Sequence, residues 1–403
     1  MLTLEEAQEQ IFAALSSLLE VEKVSVAAAS GRVLAVDVLA VVDLPGFDNS
    51  AMDGYAVRAA DVAGASPEKP AVLRLIGHVA AGEVFTGEVA TGECVRLFTG
   101  SPLPRGADAV VMQEDTRADA AHQNEVLICD AAKPWEHVRL RGEDVKRGEI
   151  ILSAGDCVSF AQLNLLAASG VIEMSVARRS VIGLLATGSE LREVGSPLAP
   201  GQIYESNRMM LAAALRQIGA EPRVYPIVSD TLEATSAALA RAFGECDAVI
   251  TSGGVSVGEF DFVKAAFEQL GGAMNFWKVA VKPGKPFVFG QLNGKPLFGL
   301  PGNPVSALVT FLLLVRPALL KMHGARAVEL PAYPGVLSEP LVNRGDRRHF
   351  IRVKVEPDGQ VRSAGMQASH ALGALAVANG LVDVPAQTTL PAGSTVRVLR
   401  WGF

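Results

Sequence analysis

The sequence predicts a multidomain α/β plus β protein. A central parallel α/β domain is flanked by an inserted β-rich domain and a small C-terminal β-barrel-like domain. Three observations predict this. The 403 residues exceed one core at ~100–200 residues per domain. Between residues 177 and 325, short apolar runs alternate with helix-period segments, the pattern of a parallel sheet. On either side, short apolar runs are broken by Gly, Pro and Asp, as in β modules.

Taken in order, Thr3 with Glu6 has capping-box spacing, and Leu4, Ala7, Ile11, Leu15 and Leu18 give one apolar helix face. Val72–Val79, Cys94–Phe98, Ala109–Gln113 and Glu125–Cys129 read as short strands between turns. Ser159 with Gln162 is a second capping box, and Gly170 is a C-terminal stop. The β module thus interrupts a helical unit. The predicted domains are residues 1–44 with 140–176, the insert 45–139, the α/β unit 177–325 and the β unit 326–403. Within the α/β unit, strands are expected at Val181–Ala186, Arg223–Val228 and Ala248–Thr251. Helices are expected at about 207–218, 232–243 and 262–270. Pro286–Phe289 and Pro296–Leu300 flank Asn293-Gly294, a hairpin turn, before a helix from about Val305 to Met322. In the last unit, Phe350–Val355 and Gln360–Ser363 surround the turn Asp358-Gly359.

Lys plus Arg number 36 against 43 Asp plus Glu, and the net charge of −7 argues against nonspecific nucleic-acid binding. A hydrophobic content of 49% excludes a mostly disordered chain. No segment reaches the ~18 uncharged apolar residues of a membrane span, and Leu308–Val315 stops at Arg316-Pro317. The acidic start, MLTLEEAQEQ, lacks the basic region of a signal peptide. Four scattered cysteines form no CxxC pair, which argues against a thiolate metal site or disulfide framework. The expectation is a cytoplasmic protein with no membrane and no nucleic-acid partner.

Three loops follow strands of the α/β unit or open its helices: Thr187-Gly188-Ser189-Glu190, Ser252-Gly253-Gly254-Val255-Ser256-Val257-Gly258-Glu259-Phe260-Asp261, and Leu300-Pro301-Gly302-Asn303-Pro304-Val305-Ser306. Glycine allows close backbone approach, and helix N-termini offer free N–H groups, so an anionic ligand is expected at this edge. Neither GxxxxGK[ST] nor a strand-end GxGxxG occurs, so a P-loop or dinucleotide fold is not supported. Gly254-Val255-Ser256-Val257-Gly258 matches a hydrolase elbow, but no further parallel strands are evident to carry an Asp and a His. Lys278 and Lys282, read as one strand, share a face among apolar residues and suit a polyanion pocket. Glu190, Asp230 and Asp261 each follow a different strand and suit Mg²⁺. Taken alone, Asp230 reads as a helix N-cap ahead of Thr231-Leu232. Asp53-Gly54 reads only as a hairpin turn. Arg348 and Arg352 share a strand face in a basic stretch.

Together these motifs resemble the molybdopterin molybdenumtransferase family (MoeA and the gephyrin E domain). The resemblance rests on FDNSAMDGYAVR at 47–58, RGEDVKRG at 141–148, ATGSEL at 186–191, TSGGVSVGEFD at 251–261, KVAVKPGKP at 278–286 and GLPGNPVSA at 299–307. It implies a four-domain homodimer whose α/β unit binds molybdopterin. The implied reaction inserts molybdate into adenylylated molybdopterin, with Mg²⁺-dependent release of AMP. Carried over by motif, Asp53, Asp144, Lys278 and Lys282 are the implied catalytic residues. Thr187, Gly188, Ser252, Gly253, Gly254, Ser256, Pro301, Gly302, Asn303 and Pro304 bind substrate. Arg352 and Ser369 are the C-terminal anion contacts, with Arg348 a neighbouring alternative to Arg352. Glu190, Asp230 and Asp261 hold the metal. The site is implied to be shared between subunits, with Asp53 acting in the partner's cleft. The competing readings are a molybdopterin adenylyltransferase, which the flanking domains disfavour, and a non-catalytic scaffold, which the intact acids and lysines disfavour.

Overall fold

A computed structural model describes residues 1–15, 20–80, 82–118, 124–254 and 262–401. The chain opens with helix α1 (Leu4–Ala14), closed at its start by the Thr3–Glu6 capping box. Leu4, Ala7 and Ile11 are buried as the periodicity predicts; Leu18 lies outside the described residues. These three belong to the core of the α/β unit, although residues 1–44 read as part of the N-terminal unit. The second capping box, Ser159–Gln162, starts the helix Phe160–Ala168, and Gly170 follows it at φ +79°. Val21–Ser25 pairs antiparallel with Glu173–Ala177, so the chain leaves and re-enters this unit around the insert.

The insert carries a six-stranded sheet in the order 109–112, 54–57, 93–97, 71–79, 125–128, 116–118. The α/β unit is built on β1 (Val181–Ala186), β2 (Glu221–Val224), β3 (Ala248–Ser252), β4 (Ala273–Trp277), β5 (Val288–Leu292) and β6 (Lys295–Leu300). Their order is β2-β1-β3-β6-β5-β4; the first four are parallel, β5 is antiparallel to β6, and β4 is antiparallel to β5. β1 is apolar throughout and β3 is buried throughout, because both sheet faces are covered. Ile182, Leu184 and Ile250 face one core with α1 and α2 (Asn207–Gln217). Leu185 and Val249 face the other, with α3 (Leu232–Glu245) and α4 (Phe262–Gln269). β2 lies earlier than the predicted 223–228. It is an edge strand, where Pro222 is tolerated, and Pro226 lies just beyond its end. Asn293 and Gly294 both take positive φ, the requirement of a type I′ hairpin.

Helix α5 (Pro304–Met322) runs through Arg316-Pro317 to the expected end at Met322. A π segment, Phe311–Val315, precedes Pro317 and lets the helix absorb a residue without an N–H. The Leu313 carbonyl, four residues before Pro317, accepts from Gln8 Nε2 of α1 at 2.8 Å. By length and composition α5 is apolar enough to cross a membrane, but 89% of its most apolar window is buried inside the protein.

In the C-terminal unit five strands close a ring: 348–355, 360–363, 332–337, 395–400 and 380–384, the last pairing back on the first. Val281–Lys282, from the α/β unit, adds to this sheet beside Arg348-His349.

His323, at the end of α5, is 6% exposed, and its Nε2 accepts the Ser180 N–H at 3.3 Å. Burial pushes its pKa down to about 4, and the Arg32 and Arg179 guanidiniums add to the effect. The folded chain therefore keeps this imidazole neutral while the unfolded chain takes up a proton near pH 6.5. Its contribution is complete above about pH 6.5 and falls by about 2–3 kcal/mol as pH drops toward 4. Urea unfolding of wild type and His323→Gln between pH 7 and 4.5 checks this. The variant is expected to show the flatter pH dependence, and identical slopes would remove His323 as the cause.

Candidate functional site

The carboxyl ends of β1, β3 and β6 open into one pocket of about 760 Å³. Its wall includes Thr187, Gly188, Glu190, Asp230, Ser252, Gly253, Gly254, Pro301, Gly302, Asn303 and Pro304, so the three glycine loops meet as predicted. Their contacts are close. Gly253 N–H donates to Leu300 O at 3.1 Å, and Thr187 N–H donates to Ser252 O at 3.2 Å. Gly253 has φ +87°, and a Cβ there would sit 2.7 Å from the Thr187 carbonyl oxygen. Ser256 and Asp261 lie outside the described residues.

Asp230 is not the helix cap. Thr231 caps α3 with its side chain accepting from Ala234 N–H, and the Asp230 carboxylate instead accepts the Ser189 N–H at 2.7 Å. The β1 loop is thereby tied to the loop preceding α3. Glu190 is exposed at the same wall. Among the described residues no group of three metal-binding side chains forms.

The lysines depart from the sequence reading. β4 ends at Trp277, and Lys278 takes φ +90°, turning the chain. Val279 and Val281 are buried in the core, and Lys282 belongs to the short strand that joins the C-terminal sheet. Lys278 therefore lies past the end of β4 and Lys282 on a strand of another sheet, and shared-face alternation does not relate them. Neither lines the pocket, whose described wall holds no Lys or Arg.

Asp53 and Asp144 also lie away from this wall. Asp53 accepts from both Thr99 N–H and Thr99 Oγ1 at 2.7 Å. The Thr99 backbone N–H, chiefly, holds its carboxyl below the usual range. Asp144 is exposed on the loop opposite Leu44.

The two arginines separate clearly. Arg348 is ion-paired with Asp383 and with Glu5 of α1. Arg352 is 1% exposed and has no carboxylate partner among the described residues. Its guanidinium donates to the Ala368 and Met366 carbonyls, and its Nε has no partner among the described residues. Burial lowers its pKa from the usual guanidinium value. It thus holds the loop carrying Ser369, whose carbonyl accepts the Val305 N–H of α5 at 3.2 Å. The next residue, His370, lines the pocket. His349 is buried with Nε2 unpartnered. Its pKa is pushed down to about 4 by burial and then by the charges of Lys282, Arg352 and Arg347. A cationic cluster therefore forms where the α/β and C-terminal units join.

Sequence reasoning missed Tyr204, Glu205, Asn207 and His370 in the wall. The available signal was the polar run Glu205-Ser206-Asn207 at a predicted helix start.

An open, two-sided α/β sheet with glycine loops meeting at its carboxyl edge defines a small-molecule-binding unit. Residues 183–321 match a family described as a probable molybdopterin binding domain, which sets the class. Residues 2–170 match the MoeA N-terminal region (domain I and II), and 334–401 the MoeA C-terminal region (domain IV). The chain belongs to the molybdopterin molybdenumtransferase (MoeA) family. It is 37% identical to the molybdopterin molybdenumtransferase of Haemophilus influenzae over 99% of this chain and 98% of that one. It is 42% identical to molybdopterin molybdenumtransferase 2 of Mycobacterium tuberculosis over 91% of each chain. A crystal structure of the molybdopterin biosynthesis MoeA protein from Pyrococcus horikoshii superposes with TM-score 0.85 at 30% identity, covering 100% of both chains.

Proposed function

We propose that this protein is a molybdopterin molybdenumtransferase of molybdenum cofactor biosynthesis. Its substrates are adenylylated molybdopterin and molybdate; its products are the molybdenum-loaded cofactor and AMP. The observation that carries the reading is the meeting of three glycine loops in one roomy pocket, in a chain that aligns end to end with relatives of that name.

In this reading Thr187, Gly188, Ser252, Gly253 and Gly254 contact the pterin and phosphates, with Ser256 adjoining them and Pro301-Gly302-Asn303-Pro304 forming the far wall. Backbone N–H groups there suit phosphate oxygens. Two carboxylates, Glu190 and Asp230, line a wall with no described Lys or Arg, so a phosphoanhydride bound there would need countercharge, which a divalent ion would supply. Mg²⁺ would be held by Glu190 and Asp230, with Asp261 as a third acid, and would neutralise charge on the leaving phosphate. Lys278, Lys282, Arg352 and Ser369 gather molybdate at the junction of the two units. The unpaired charge of Arg352 and the commitment of Arg348 to Asp383 and Glu5 favour Arg352 as the oxyanion contact.

Asp53 and Asp144 act in the partner's cleft of a homodimer in the cytoplasm. Support comes from their absence from the lining of their own chain's pocket and from exposed Leu39, Val41, Phe47, Leu140 and Ile150 on the two units that carry them. In this reading the four units are residues 1–44 with 140–176, 45–139, 177–325 and 326–403, with α1 docked on the α/β core.

The test incubates purified protein with adenylylated molybdopterin, Mg²⁺ and molybdate, and measures AMP and metal-loaded cofactor together. Both are expected to depend on molybdate, and Lys282→Ala is expected to lower the rate by about 100-fold. ATP consumption without molybdate dependence would point instead to an adenylyltransferase, and no turnover at all to a scaffold.

A further inference from the structure

Helix α2 begins at the pocket wall, and its first residue, Asn207, is 7% exposed. Ser206 precedes it without a side-chain cap bond. Glu205 does the anchoring instead: its carboxylate accepts the Arg208 backbone N–H at 3.0 Å and pairs with the Arg208 guanidinium at 2.8 Å. With the helix start so held, Asn207 Nδ2 donates to Ser252 Oγ and to Gly302 O, each at 2.7 Å. The carbonyl of Gly302 can only accept, which fixes the amide orientation. The price of that orientation is that Oδ1 is buried with no partner among the described residues. A buried amide with an orphaned acceptor is a poor choice for stability alone, since an apolar residue would avoid the orphan. What the amide achieves is a bridge between loops of two strands, 45 and 95 residues away in sequence.

We propose that Asn207 is a positioning residue: its two amide N–H groups clamp the Ser252 and Gly302 loops at the spacing that adenylylated molybdopterin requires. The inference rests on the reading of this pocket given above. It predicts a selective effect, because Lys282 and Arg352, at the proposed molybdate end, do not touch Asn207.

The test compares full-length wild type, Asn207→Ala and Asn207→Asp. Aspartate has nearly the same shape but presents only acceptors to the Gly302 carbonyl. Asn207→Ala is expected to raise KM for adenylylated molybdopterin by about 10-fold or more, with KM for molybdate unchanged and kcat lowered by less than about 3-fold. Asn207→Asp is expected to be at least as impaired as alanine. Hydrogen exchange of both variants should quicken at 251–254 and 301–305 and stay unchanged in the C-terminal strands. A fully active Asn207→Asp, an equal rise in both KM values, or unaltered exchange in the two loops would overturn the clamp. If wild type releases no AMP, the functional reading fails, and the exchange data still decide whether the clamp exists.

Discussion

Gly253→Ala is expected to cut molybdate-dependent AMP release by about 100-fold or more while the chain remains folded. The residue sits at φ +87°, which costs an L-residue about 1–2 kcal/mol. The larger effect is positional. The new Cβ would lie 2.7 Å from the Thr187 carbonyl oxygen, a backbone atom that cannot rotate aside. Thr187 N–H is bonded to Ser252 O, and Gly253 N–H to Leu300 O, so displacing one loop displaces all three. Gly92→Ala is the control, because it has φ +76° with nothing within 4 Å of its Cβ, in the insert away from the pocket. Steady-state AMP release and thermal unfolding of both variants decide the matter. Equal activity in the two would show that loop spacing does not limit the reaction.

Arg352→Met should lower both stability and turnover. The substitution keeps length but strips donors from the Met366 and Ala368 carbonyls, at about 1–3 kcal/mol for each group left unpaired. A net loss of about 2–4 kcal/mol in denaturant unfolding is expected. The loop carrying Ser369 and His370 loses its anchor, and the proposed oxyanion site loses its charge, so turnover should fall about 100-fold. Arg352→Lys keeps the charge but not the planar fork that reaches two carbonyls, and should recover little. Full recovery of stability and of KM for molybdate by lysine would refute the two-carbonyl role.

Much of the α/β unit is legible because its inner strands are largely apolar and lead into glycine-containing loops. The pocket loops followed, since ligands of such sheets bind at the carboxyl edge. What remained hidden depended on contacts distant in sequence. Periodicity could not reveal that the segment from Lys278 to Lys282 leaves one sheet and joins another, so the two lysines were read on one face. Asp230 was read as a cap because the residue two places before a helix resembles the residue one place before it. Its actual partner, Ser189 N–H, is 41 residues away. Asn207 escaped notice because a buried amide between two loops carries no local signature. The run of α5 to Met322 matches the expected end, but the π segment next to Pro317 and the brace from Gln8 carry no local signature.

The strand Val281–Lys282 also bears on how the protein divides. Its partner strand lies in the closed ring of the C-terminal unit, while Val279 and Val281 stay rooted in the α/β core. Leu330, Phe350 and Leu381 of the C-terminal unit are buried in that same core. A cut in the chain near residue 326 is therefore not a seam in the folded solid. An excised C-terminal fragment would present a bared strand edge and a raw apolar face. The proposed oxyanion groups are thus fastened to the pocket by shared architecture, and cannot swing away from it as a tethered module would.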